Sequence, residues 1–319
     1  EGKCPSLVDS CPQLCPVQCP RMGTENLDFL AVDTRGRLVM RCQESIYLLA
    51  VPTTMDVMQG LPLQVVDKFD GPRRPSRVET LVEDGDYWAW VWRPAWRDFG
   101  QPGSIQAWDV RRGTVDIVDT FEGNITVWFL SSWKGHLAAK VDFLQKGKGV
   151  VIFFYHREFG SWRCTHSTTR EWSGQGGMEF TSDGANLAVA VPVKHEITVI
   201  RRLDGTVVRR LVMTLMRPFF IKEFEDGWLV AQAVGWHLVF VNDTREVLVC
   251  RYDHGVNCQN GNVLLLPGVG PAVATTHGLL CVLNSWDVEV AFMSPVRVAW
   301  MVAVVRAGTR SRARSRTRR

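Results

Sequence analysis

Residues 178–212 read MEFTSDGANLAVAVPVKHEITVIRRLDGTVVRRLV, and this stretch decides the fold. Met178-Glu179-Phe180 leads into Thr181-Ser182-Asp183-Gly184, and an apolar run follows from Leu187 to Val191. A second apolar run spans Ile197 to Ile200, and Asp204-Gly205 separates it from Val207-Val208-Arg209-Arg210-Leu211-Val212. Apolar runs of this length, separated by Asp-Gly, predict strands joined by tight turns. Glycine takes positive φ without a Cβ penalty, so it sits where such turns need it.

The same order recurs along the chain. Turns centred on Gly36, Gly85, Gly135, Gly184, Gly227 and Gly268 lie 49, 50, 49, 43 and 41 residues apart. Each is followed by an apolar strand, from Leu38-Val39-Met40 and Tyr87-Trp88-Ala89-Trp90 to Ala272-Val273-Ala274. Third and fourth strands also line up, as in Val150 to Tyr155 and Trp162 to His166. Four strands in sequence make one antiparallel sheet, and repeats of about 40–50 residues are the spacing of β-propeller blades. The expectation is an all-β fold: a six-bladed β-propeller of four-stranded antiparallel blades. It predicts a Cys/Pro-rich disordered leader over 1–24, the propeller over 25–306 and an Arg-rich disordered tail over 307–319.

Phe180-Thr181-Ser182-Asp183-Gly184 with Leu187-Ala188-Val189-Ala190 resembles the repeat of the WD40 and NHL propeller families. Ile105-Gln106-Ala107-Trp108-Asp109-Val110 resembles the strand-then-Trp-Asp ending of a WD40 unit. The resemblance covers roughly residues 27–294. No Gly-His pair opens the units, and Trp286-Asp287 falls in a turn, so the His–Asp network of WD40 proteins is not implied. Such a resemblance implies a fold and no activity.

The formal charge of +4 is misleading, because Arg310, Arg312, Arg314, Arg316, Arg318 and Arg319 more than account for it. The body is slightly acidic and offers no compositional case for nucleic acid. That tail is the candidate for RNA or another anionic surface, each arginine near an anionic membrane contributing roughly 1 kcal/mol. No eighteen consecutive apolar residues occur, so no membrane span is expected. The chain opens with Glu1, and Met22 is a candidate start.

Cys4, Cys11, Cys15 and Cys19 are each followed by proline and lack the close Cys-x2-Cys pairs of zinc sites. Cys42, Cys164, Cys250, Cys258 and Cys281 fall in or beside strands and read as small packed apolar groups. An odd total of nine cysteines argues against a full disulfide framework and for a reducing, cytoplasmic compartment. The 13 Trp and 15 Phe suit the packing of sheet on sheet.

No phosphate loop, dinucleotide fingerprint, zincin motif or nucleophile elbow is present. Gly174-Gln175-Gly176-Gly177 precedes no helix and reads as a junction loop. His136, Lys140 and Asp142 are expected near one inner strand, and His254, Asn257 and Asn260 in a loop between blades. Neither set specifies a metal or catalytic site, so none is expected, and no cofactor is implied. Pro52 to Leu61 reads as a loop. Residues 93–103 read as an insertion between two strands of the second blade, and loops of this kind carry binding residues. Trp92, Arg93, Trp96, Arg97 and Phe99 are the candidate anchors for a protein partner. The leading expectation is therefore a monomeric, non-enzymatic scaffold that binds proteins or peptides. A propeller enzyme with a metal or hydrolytic site at the central channel, and an RNA-binding tail, are the alternatives.

Overall fold

The structure is a computed structural model. It describes residues 27–293 apart from 33–35, 43–44, 59–62, 71–76, 85–86, 94–102, 110–113, 122–124, 144–148, 170–171, 173–174, 215, 233–236, 252–262, 276–277 and 283–289. The leader 1–24, the stretch 296–305 and the tail 307–319 lie outside the described residues.

The first sheet holds β1 (Leu27–Val32), β2 (Arg37–Cys42), β3 (Ser45–Ala50) and β4 (Val65–Asp70). The second holds β5 (Arg77–Asp84), β6 (Tyr87–Arg93), β7 (Gly103–Asp109) and β8 (Thr114–Phe121). The third holds β9 (Ile125–Trp133), β10 (His136–Phe143), β11 (Gly149–Glu158) and β12 (Ser161–Thr169). The fourth holds β13 (Met178–Phe180), β14 (Asn186–Val191), β15 (Glu196–Arg201) and β16 (Val207–Val212). The fifth holds β17 (Phe220–Phe224), β18 (Gly227–Ala231), β19 (His237–Val241) and β20 (Glu246–Arg251). The sixth holds β21 (Val263–Leu266), β22 (Gly270–Thr275), β23 (Gly278–Val282) and β24 (Val290–Met293). Every sheet pairs its strands in chain order, antiparallel throughout.

The fold is thus all-β, with a propeller arrangement of four-stranded sheets. The blade count is where expectation and structure part: the arrangement comprises four blades rather than six, although the strands sort into six sheets. Packing shows where the difference lies. Among the described residues the third to sixth sheets share an apolar cluster with a neighbour on each face, whereas the first and second share one on a single face, although the first also buries Val39 and Leu48 on its other face. Ala138, Ile152 and Phe154 of the third pack on Leu187 and Val189 of the fourth. Ala190 and Val199 of the fourth meet Ile221 and Val230 of the fifth. Leu229 and Phe240 of the fifth meet Val263 and Val273 of the sixth. The first sheet adds Leu38 and Met40 against Leu264 and Ala272 of the sixth. The second adds Ile105 and Ala107 against Leu137 and Tyr155 of the third. No described apolar cluster joins the first sheet to the second; there β1 lies beside β5.

One loop expectation needs correction. Residues 54–58 form a helical turn, α1 (Thr54–Met58), within the stretch expected to be a loop. Thr53 and Asp56 cap it reciprocally: Asp56 N–H donates to Thr53 Oγ1 at 3.1 Å, and Thr53 N–H donates to Asp56 Oδ2 at 2.8 Å. Large aromatics do fill the seams between sheets, as expected. Trp172 and Trp228 are buried there, 8% and 3% exposed. Cys164, by contrast, is exposed on β12 rather than packed as a small apolar group.

Candidate functional site

The turns between first and second strands, and between third and fourth, open on one face of the sheets. Their sequence explains how they are stitched. In the β13–β14 turn, Asp183 Oδ1 accepts the Thr181 hydroxyl at 2.6 Å and the Ala185 N–H at 2.8 Å. These bonds, Thr181 first, hold the Asp183 carboxyl below the ordinary carboxylate range. In the β15–β16 turn, Asp204 Oδ1 accepts the Thr206 N–H at 2.9 Å and hydroxyl at 2.7 Å, and Arg201 Nη1 donates to Asp204 Oδ2 at 3.1 Å.

Neighbouring sheets are tied across these turns. Gly184 stands at φ +68°, and a Cβ there would lie 2.1 Å from the Trp133 ring, so the indole lies directly on the turn. Trp133 Nε1–H donates to Ser182 O at 3.0 Å. Arg202 Nε–H donates to Gly184 O at 2.7 Å. The Arg202 guanidinium also lies 5.7 Å from the Trp133 ring centre.

Register assembles the rest of the site. Trp133, His136 and His156 are direct cross-strand partners on β9, β10 and β11, and directly opposed residues share a face. Their rings stack, Trp133 on His136 at 5.9 Å and His136 on His156 at 4.3 Å. One row inward, Phe154 opposes His166 and the two rings stack at 4.4 Å. Thr165 is the extra residue at the β12 bulge. Its hydroxyl donates to Phe154 O at 3.1 Å and sits 3.1 Å from His166 Nδ1. All of these except Trp133, with Tyr155, Arg202 and Leu203, line a cleft of about 220 Å³ between the third and fourth sheets.

Electrostatics follow from burial. Arg202 Nη1 lies 3.2 and 3.1 Å from the two ring nitrogens of His136. Desolvation foremost, then the Arg202 charge, then His156, pull the His136 pKa down to about 4, so this ring is neutral near pH 7. Burial lowers His166 also, with Asp204 opposing. His156 donates from Nδ1 toward Glu158 Oε1 at 3.2 Å.

Two ionisable groups, Lys140 buried and Glu179 largely so, lie at the junctions between sheets. Lys140 on β10 is 0% exposed, and its Nζ donates to Gly176 O at 2.9 Å and Gln175 O at 3.4 Å. Burial brings its amine down to about 7, partly offset by Asp142. Glu179 on β13 pairs with Lys222 on β17 and accepts the Glu223 N–H at 3.1 Å. Burial raises the Glu179 carboxyl, with Lys222 opposing.

Of the anchors expected from sequence, Trp92 and Arg93 end β6, where only the backbone is described, and Trp96, Arg97 and Phe99 lie outside the described residues. The tail arginines Arg310, Arg312, Arg314, Arg316, Arg318 and Arg319 also lie outside, as do His254, Asn257 and Asn260. His136, Lys140 and Asp142 share β10, which is the second strand of its sheet, with β9 and β11 on either side. Sequence reasoning missed the convergence of Trp133, His156, His166 and Arg202 on His136. The available signal was the alternation of β11, which places Phe154 and His156 on one face.

Among the described residues no three His, Cys, Asp or Glu side chains are placed to hold a metal ion. No described helix is long and apolar enough to cross a membrane. Compared with known proteins, the chain matches no family model and no curated sequence.

Proposed function

We propose that this chain is a non-enzymatic interaction scaffold, a WD40-like or NHL-like propeller in which the first and second sheets complete a ring of six. Closure is supported by the neighbours of β1, which lies beside both β21 and β5. One observation carries the scaffold reading. Side chains fix the turn backbone: Trp133 of the third sheet bonds Ser182 O in the fourth, and Arg202 bonds Gly184 O within the fourth. Turns fixed in this way form a preorganised surface, and preorganisation lowers the entropic cost of holding a partner.

The partners are proteins or peptides in a reducing, cytoplasmic compartment. The first contact surface is the insertion between β6 and β7, with Trp92, Arg93, Trp96, Arg97 and Phe99 as anchors.

The test is affinity capture of the tagged full chain beside its Trp96→Ala/Phe99→Ala variant, with bound proteins quantified by mass spectrometry. The expected result is a stoichiometric partner recovered at least fivefold less by the variant. Equal recovery by both forms removes the insertion from the proposal. Failure to recover any stoichiometric partner removes the scaffold.

A further inference from the structure

The cleft between the third and fourth sheets holds a cation with no counter-charge. Arg202 is half-buried, and its described partners are the Gly184 carbonyl, the His136 ring and the Trp133 face. No carboxylate reaches it among the described residues. The nearest in sequence, Asp204, is taken up by Arg201 and Thr206. A guanidinium held in place by a carbonyl, an imidazole and an aromatic face keeps its charge and its Nη2 donors for an anion.

The size and polarity of the cleft narrow the class of anion. Its volume of about 220 Å³ suits one side chain rather than a nucleotide. Arg202 is the only permanently charged residue lining it, which matches a single negative charge better than the double charge of a phosphate. Its walls are largely apolar, with Phe154 and Leu203 among them. His166 adds a second requirement. The Thr165 hydroxyl spends its proton on Phe154 O, so it accepts from His166 Nδ1–H, and this leaves Nε2 as the acceptor. That Nε2 is buried with no partner. A peptide supplies an N–H for it, and a phosphate dianion does not. Leu203, which lines the cleft, is 72% exposed and offers an apolar side chain at the opening. An exposed apolar group beside a charged anchor suits a peptide contact.

We propose that this cleft binds an acidic side chain, glutamate or aspartate, of a partner peptide, with Arg202 as the anchor and Leu203 as an apolar flank. The assignment rests on the scaffold reading and adds a second contact to the one proposed at the β6–β7 insertion.

The test titrates the full chain with a capped pentaglutamate peptide, a capped pentaglutamine peptide and inorganic phosphate. The readouts are the Trp133 indole N–H and the histidine ring C–H signals by NMR. Pentaglutamate is expected to shift the Trp133, His136 and His166 signals saturably, and pentaglutamine to leave them in place. Arg202→Gln is expected to weaken binding at least tenfold, and Arg210→Gln, an exposed β16 control, less than twofold. Should Arg202→Gln misfold, Leu203→Trp fills the cleft mouth from an exposed position and is expected to weaken binding as strongly. Phosphate binding more tightly than pentaglutamate, equal binding by Arg202→Gln, or no saturation would overturn the assignment. Partner capture through Trp96 and Phe99 is read in a separate experiment, so loss of this site leaves the scaffold standing, and loss of the insertion anchors alone leaves this site standing.

Discussion

Gly184 shows how much one residue type settles here. Two separate demands meet at it. Its φ of +68° costs an L-residue about 1–2 kcal/mol, and its missing Cβ is the space the Trp133 ring occupies. Gly36 meets only the first demand: its φ is +72°, and a Cβ there would find nothing within 4 Å. Gly36→Ala is therefore expected to cost about 1 kcal/mol, whereas Gly184→Ala also displaces the indole and breaks its bond to Ser182 O, for a total of about 2–4 kcal/mol. Urea denaturation of both variants checks the difference, and Trp133 indole exchange should accelerate in Gly184→Ala alone. Equal losses in the two variants would mean that the indole has no role in holding the turn. The sequence marks both glycines as turn residues, and nothing in it separates them, because the ring that does so comes from 51 residues earlier in the chain.

Elements were legible from sequence where local chemistry specifies them. The strands β13 to β16 follow the Asp-Gly punctuation, since Asp183 and Asp204 bond their own turns. What joins elements was not legible. Lys140 follows Leu137-Ala138-Ala139 in β10 and gives no sign that its ammonium is roofed by the Gly176 and Gln175 carbonyls. His136 and His156 become neighbours only through a register that the sequence across 144–148 does not reveal. Lys140 also makes a pH prediction. Its pKa is about 7 in the fold against an ordinary value of 10.5. Between those values the unfolded chain binds the extra proton, so stability rises with pH over that window. The buried group's full contribution is present above 10.5 and lost as pH falls toward 7. Against Lys140→Met, which has no such proton, the wild-type chain should gain on the order of a few kcal/mol between pH 7 and 10. Parallel stability curves for the two proteins over that range would show that the amine is solvated in the fold.

At the scale of the molecule the question is closure. Repeat spacing predicted six units, and six sheets form, yet an apolar cluster shared with a neighbour on each face is described for four of them. A sequence period reports how many sheets there are, while closure depends on side chains of the last and first sheets meeting, such as Leu264 and Leu38, which lie more than 200 residues apart, and the period does not contain that information. Leu264 of β21 sits at the seam between the sixth and first sheets, 4% exposed and packed with Leu38 and Met40. Leu264→Ala removes buried methyl groups and should cost about 2–5 kcal/mol, depending on how far the seam collapses. In a closed ring each sheet is held by both neighbours, so the loss is shared. The variant should unfold in a single transition, with amide exchange accelerated alike in the first sheet and in the distant strands β14 and β15. In an open row the first sheet ends the array and can detach alone, as terminal units of repeat proteins do. Exchange would then quicken in the first and sixth sheets, while Leu187 to Val191 kept its wild-type protection. That second outcome would leave the sheets away from this seam as the cooperative unit and would remove the six-bladed ring from the proposal.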